Sequence, residues 1–195
     1  MPPKVKYTRE SVLKAAFEIT RTLGAENVNV RSIAKKLGCS TQPVMYHFPT
    51  VDKLRTEIYN MADEYHTEYI TKISGKKKDI LLNIGLRYIR FAVEETQLFR
   101  FLFQSEYSRE NYIAGLADPD DASPFIMLMT KELHISAEKC RDVFLLVYMF
   151  VHGYASLLAN SDMSYDEESI SKQLRLTLSG ALNAVGDEAK NFLEL

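Results

Sequence analysis

The sequence predicts an all-α protein, with an N-terminal three-helix helix-turn-helix domain joined through a long helix to a larger C-terminal helical domain. Apolar residues recur every three or four positions along most of the 195-residue chain, which is the spacing of one helix face. Residues 30–48 carry the turn and capping residues of two short helices. The chain is 46% hydrophobic and 26% charged, which is typical of soluble globular proteins.

The first helix is expected from Thr8 to about Leu23. Thr8 is a favourable N-cap, and Gly24 follows the last apolar residue of the helical repeat. Phe17 lies near the middle of the apolar face. We therefore expect it at the centre of a three-helix core.

The second and third helices form the helix-turn-helix pattern, with Asn29 or Val30 leading into it. Their core-facing positions are apolar: Ile33, Ala34, Leu37, Val44 and Phe48. Gly38 suits the left-handed conformation that ends a helix, Ser40 is a good N-cap, and Pro43 falls near the start of the next helix. In this motif the second helix enters the DNA major groove. The alternative is a helical hairpin with no DNA role.

A long fourth helix is expected to begin at Thr50 or Asp52 and to continue to about Ile73. Because no Gly or Pro interrupts it, it is long enough to belong to two domains. We place the boundary inside it, so that residues 1–51 form one domain and residues 52–195 the other. Residues 74–78 are a polar break.

Further helices are expected at residues 79–95, 98–103, 124–133, 137–160 and 167–186. Aromatic alternation in residues 98–103 resembles a strand, but no second strand-like run can pair with it, so a helix is favoured. Ser136 caps one helix and Asp166 or Ser164 the last. Residues 118–124 are expected to form a surface loop.

The last two helices have features of a homodimer interface. Residues 143–159 are apolar nearly all round, which is more than one packing face requires. The last helix has small residues where a second helix can approach: Ser179, Gly180, Ala181 and Ala184. A four-helix bundle formed by two chains would give a dimer with two helices that enter the major groove, one for each half-site on the DNA. A buried central helix is the alternative.

Charge and cysteine content narrow the class of protein. Residues 1–55 have a net charge of +6 and residues 56–195 one of −8, so a polyanionic partner fits the N-terminal part alone. Cys39 and Cys140 are isolated, and no metal site or cofactor is expected. No signal peptide or membrane span is evident, so a cytoplasmic protein is expected.

These residues together resemble the TetR/AcrR family of bacterial transcription regulators, most strongly over residues 8–60. The family pattern "I-A-x-x-L-G-x-S" occurs here at residues 33–40, and the reading helix ends in His47-Phe48. Residues 98–103 and the His152-Gly153 pair look like the sequence motifs of one subset of the family. The chain departs from the family at Met45, where Tyr is usual, and at Val51, where Lys is usual.

The resemblance implies a homodimeric repressor that leaves a palindromic operator when a small, largely apolar or aromatic effector binds the C-terminal domain. Thr41, Gln42 and Tyr46 are the candidate base readers, because Gln can pair with adenine and Thr can contact a thymine methyl. Arg31, His47 and Lys53 are the candidate phosphate contacts. The candidate ligand pocket is aromatic and sulfur-rich: Phe91, Phe99, Phe103, Tyr107, Phe125, Met129, Tyr148 and His152.

Two other classes of function compete with this interpretation. An enzyme is disfavoured, because no nucleophile–base pair, glycine-rich phosphate loop or set of metal ligands is visible. A DNA-binding regulator with no small ligand, controlled by a protein partner, is the stronger alternative. An activator is equally compatible with these residues.

Overall fold

The computed structural model describes residues 7–72, 80–108 and 124–186, and this part of the chain is all-α, as predicted. A single 3-10 turn at Ala25–Asn27 follows the first helix. The α-helices are α1 Arg9–Leu23, α2 Val30–Leu37, α3 Thr41–His47, α4 Val51–Thr71, α5 Ile80–Glu94, α6 Thr96–Phe103, α7 Pro124–Leu133, α8 Ala137–Asn160 and α9 Glu167–Ala184.

The chain packs into two compact units. The head unit comprises Met1–Glu68 with Glu95–Ser108, and the body unit comprises Tyr69–Glu94 with Arg109–Leu195. The helix α6 therefore packs with the helix-turn-helix residues. The predicted boundary at residue 52 stays a prediction, because packing alone does not show which segment folds independently.

Side-chain and glycine caps fix the helices of the head unit. The Thr8 hydroxyl accepts a hydrogen bond from the Ser11 amide, and Gly24 ends α1 with φ of 97°. Asn29 forms a capping box with Ser32 at the start of α2. Gly38 ends α2 in the left-handed conformation that glycine adopts without strain (φ 66°, ψ 39°). The turns predicted from these residues are confirmed.

The core of the head unit confirms most of the predicted apolar positions. Ile33, Ala34, Val44 and Phe48 of the motif are buried, whereas Leu37, at the end of α2, is only half-buried. Phe17 is 4% exposed and packs edge-to-face on Tyr65 of α4, with ring centroids 5.9 Å apart. Residues 98–103 are helical, as favoured over a strand. The Tyr59 hydroxyl of α4 donates to the Leu102 carbonyl of α6 over 3.4 Å.

The body unit packs α5 against α8 and α9. Gly85 of α5 allows this close approach, since a Cβ there would lie 2.8 Å from Leu174 Cδ2. Ser136 and Asp166 cap α8 and α9, as predicted. The polar break at residues 74–78, the loop at 118–123 and the end of α4 at Ile73 lie outside the described residues.

Helix α8 has more apolar surface than its protomer buries. It is the one described helix long and apolar enough to cross a membrane, a property that soluble core helices share, and 33% of its most apolar window is buried. Leu146, Met149 and Leu157 are exposed. On α9, Leu176 is 75% exposed and Gly180 is exposed.

One residue of the predicted association face lies elsewhere. Ala181 is 4% exposed and packs in the core with Ile126 and Leu182, so it is not available to a second chain. The reason is the helical rotation of about 100° per residue, which turns Ala181 inward when Gly180 points outward.

Candidate nucleic-acid interface

Helix α3 presents a four-residue outer face. Thr41, Gln42, Met45 and Tyr46 are exposed, and Tyr46 reaches 81% exposure. Val44, which lies between them in sequence, is 1% exposed and holds the helix on the core. The predicted base readers therefore share one accessible surface. Met45 joins them, which the resemblance did not suggest.

The turn between α2 and α3 is held by backbone bonds and by Tyr7. The Cys39 amide donates to the Ala34 carbonyl over 3.0 Å, which closes the end of α2. The Tyr7 hydroxyl donates to the Gly38 carbonyl over 3.3 Å. Ser40 occupies the predicted N-cap position with an extended backbone, but within the described residues its hydroxyl accepts no α3 amide bond.

His47 has a structural bond in addition to its predicted phosphate role. Its Nε2 lies 2.9 Å from the Tyr7 carbonyl oxygen, and a carbonyl can only accept, so Nε2 carries the proton. The ring of His47 also meets that of Tyr46 edge-to-face, with centroids 5.0 Å apart. His47 therefore links Tyr7, two residues before α1, to the end of α3.

The other predicted phosphate contacts lie near helix starts in the head unit. Arg31 is exposed in the first turn of α2, and Lys53 is exposed in the first turn of α4. Lys35 and Lys36 are also exposed, in the last turn of α2. The sequence interpretation did not include these two lysines, although their place just before the turn was visible. The phosphate roles remain predictions.

A buried ion pair ties α1 to the start of α6 within the head unit. The Arg21 guanidinium donates to both carboxylate oxygens of Glu95, with Nε to Oε2 at 2.7 Å. The Tyr65 hydroxyl donates to Glu95 Oε1 over 2.9 Å. Glu95 is only 7% exposed. Burial of Tyr65, followed by its hydrogen bond to Glu95, raises the pKa of the Tyr65 phenol. Sequence spacing gave no signal for this cluster, because Arg21 and Glu95 are 74 residues apart.

Three predicted pocket residues belong to the head unit. Phe99 is fully buried, and its ring centroid lies 5.2 Å from that of Phe103. Phe103 in turn meets His66 of α4 edge-to-face at 5.1 Å. Tyr107 lies under the Arg55 guanidinium, 4.9 Å from its ring centroid. These residues form aromatic contacts, and their role toward a ligand remains a prediction.

The body unit contains an aromatic cluster around His152. The rings of Tyr148 and His152 stack with centroids 5.4 Å apart and planes 18° apart. The Tyr88 hydroxyl lies 3.0 Å from His152 Nδ1. Burial lowers the pKa of His152, so the ring is neutral near pH 7. The Tyr88 phenol and the neutral imidazole thus bring two polar groups into this aromatic cluster.

Two of the remaining predicted pocket residues, Phe91 and Met129, are buried in other contacts. Phe91 is fully buried against Tyr69, with ring centroids 5.2 Å apart. Met129 packs in a separate apolar core with Cys140 and Val143. Phe125 lies in α7, and its side chain is outside the described part of the structure. Within the described ranges, no three His, Cys, Asp or Glu side chains are grouped to hold a metal ion.

Known proteins include a relative of this chain that matches it over nearly its whole length. No family model matches the chain. The chain is 21% identical over 191 residues to the uncharacterized HTH-type transcriptional regulator YobS of Bacillus subtilis (strain 168), and the match covers 93% of this chain and 96% of that protein. The similarity is therefore not confined to one of the two units. It supports a transcription regulator.

Proposed function

We propose that the protein is a cytoplasmic homodimeric repressor of the TetR/AcrR type, released from a palindromic operator by a small, largely apolar or aromatic effector. The observation that carries the proposal is the outer face of α3, where Thr41, Gln42, Met45 and Tyr46 are accessible together. The full-length similarity to a helix-turn-helix regulator supports it.

The base contacts give sequence specificity, and the phosphate contacts position the protein on the DNA. Gln42 has the donor and acceptor needed to pair bidentately with adenine in the major groove. Arg31, Lys53 and His47 contact phosphates, which positions the head without reading sequence. The net charge of +6 on residues 1–55 favours this approach to DNA, and its attraction weakens with salt.

Exposed apolar residues of α8 and α9 support a dimer. Leu146, Met149 and Leu157 recur at helical spacing on α8, and Leu176 is 75% exposed on α9. Apart from neighbouring residues and the backbone of the same helix, no atom of the described residues lies within 4 Å of a Cβ built at Gly153 or Gly180, so each glycine leaves room for a neighbouring helix. Two copies of this face can bury their apolar surface against each other, and sedimentation should give a dimer.

The cluster of Tyr88, Tyr148 and His152 supports an aromatic effector. The stacked rings of Tyr148 and His152, together with the Tyr88 phenol, would bind a flat apolar ligand with one hydrogen-bonding group. Such a ligand releases DNA only if it binds the DNA-incompetent state more tightly. A ligand that raises the melting temperature without weakening DNA binding would favour control by a protein partner instead.

The first experiment is anisotropy titration of labelled duplex from upstream of the protein's own gene, at several salt concentrations. We expect saturable binding, tighter than to scrambled duplex, and a steep loss of affinity with salt. Gln42→Ala should weaken the specific duplex by about 1–3 kcal/mol and leave scrambled duplex nearly unchanged. Equal losses on both duplexes would refute the base-reading role of Gln42.

If the upstream duplex is bound no better than scrambled duplex, selection from random duplexes comes next. Failure to enrich any sequence would overturn the proposed function. Enrichment of a palindrome would support both specific reading and the dimer. The alanine test at Gln42 would then be made on the selected site.

A further inference from the structure

Met45 is an apolar side chain on a surface otherwise suited to polar contacts. It is 56% exposed, although the neighbouring Val44 and the later Phe48 are 1% and 4% exposed. Methionine has no hydrogen-bond donor and only a weak sulfur acceptor. It cannot neutralise a phosphate or pair with the polar edge of a base. Its remaining interactions are burial of apolar area and dispersion.

We propose that Met45 is a specificity-determining residue that contacts the 5-methyl group of a thymine in each operator half-site. This inference rests on the proposed DNA-binding function. The thymine methyl is the apolar group that the major groove presents to a side chain. The unbranched, flexible methionine side chain can adjust to a methyl group at the floor of the groove.

The neighbours of Met45 agree with this assignment. Thr41 lies one helical turn earlier, so its methyl group and the Met45 side chain share one flank of α3. Tyr46 lies about 140° around the helix from Thr41, and its ring meets that of His47, which is bonded to Tyr7. Thr41 and Met45 thus form an apolar flank beside Gln42. We expect adjacent thymines next to the adenine that Gln42 reads.

The test removes the methyl group and nothing else. A site is selected from random duplexes with the full chain, and each thymine is then replaced by uracil, which keeps the hydrogen-bonding edge. Anisotropy gives Kd for the wild type, Met45→Ala and the control Met127→Ala, whose methionine is 64% exposed on α7. Burying one methyl corresponds to about a fourfold change in Kd per half-site.

We expect one thymine per half-site where uracil weakens the wild type and Met127→Ala by about fourfold, and Met45→Ala by less than about twofold. If Met45→Ala keeps the wild-type uracil penalty at every thymine, the inference is overturned and DNA binding stands. If the wild type selects no sequence, both fall. If Met45→Ala binds no duplex, Met45→Gln decides, because it keeps the side-chain length but has a polar end, so a lost uracil penalty supports methyl contact and a retained one overturns it.

Discussion

Truncating Arg21 should destabilise the protein more than truncating an exposed arginine of the same helix. The carboxylate of Glu95 is 7% exposed and accepts three hydrogen bonds, two from Arg21 and one from Tyr65. Arg21→Ala would leave it with the bond from Tyr65. Breaking a buried ion pair from one side costs about 3–5 kcal/mol. The Arg21 side chain is 36% exposed, so water can partly replace it. We therefore expect a loss near the lower limit, about 3 kcal/mol.

Urea unfolding followed by circular dichroism, at one fixed protein concentration, measures this loss. With a denaturant slope of about 3 kcal/mol/M, the midpoint should fall by about 1 M. The matched control is Arg9→Ala, because Arg9 pairs with Glu57 on the surface and is 57% exposed. That pair should be worth less than about 1 kcal/mol. Equal losses for the two arginines would refute the reasoning.

A second substitution separates charge from packing at this cluster. Glu95→Gln in the Arg21→Ala background removes the buried unpaired charge and keeps the side-chain shape. We expect it to restore part of the lost stability, because a neutral amide costs less to bury than a carboxylate. If the double variant is less stable than Arg21→Ala, burial of the charge is not the source of the loss.

Two further predictions concern buried positions. His66 is 2% exposed, and burial lowers its pKa from 6.5 to about 4. The unfolded chain binds this proton at a higher pH than the folded chain does. The free energy of unfolding should therefore fall by up to about 3 kcal/mol as the pH falls from 6.5 toward 4. His66→Gln should reduce this pH dependence in urea unfolding at several pH values, and an unchanged pH dependence would contradict the assignment. Gly85→Ala should lower the melting temperature, because a Cβ would meet Leu174 Cδ2 at 2.8 Å, and the clash of about 1–3 kcal/mol exceeds the gain of about 1 kcal/mol in helix propensity. A melting temperature above that of the wild type would count against this packing.

Helix bounds were predictable because they depend on nearby residues. The capping side chains of Thr8, Ser136 and Asp166 act within three residues of the helix that each begins. The helices Pro124–Leu133 and Ala137–Asn160 begin and end where the sequence predicted. Local chemistry is enough for such features, since no distant contact is needed to form them.

The buried polar residues were not predictable from the same signals. Glu94 and Glu95 are adjacent acidic residues of the kind found on solvated helix ends, yet Glu95 is 7% exposed. Its burial depends on Arg21, 74 residues earlier, and no periodicity connects the two. His66 is buried beside Phe103 for the same reason, a contact between helices distant in sequence. Ala181 was predicted to lie on an exposed association face because it is small, but it is buried in the core.

The outer face of α3 was partly predictable from the sequence, unlike the helix bounds, which were predictable, and the buried polar residues, which were not. Helix α3 advances about 100° per residue, and Val44 and Phe48 fix its buried side. Tyr46 then lies about opposite the core, which agrees with its exposure of 81%, and Met45 lies on the flank that Thr41 shares. The orientation of α3 on the core was therefore predictable from two apolar residues, Val44 and Phe48. What the sequence could not show is how far Met45 stays exposed, since that depends on the packing of the whole head unit. Its exposure is the quantity that makes a methyl-reading role testable.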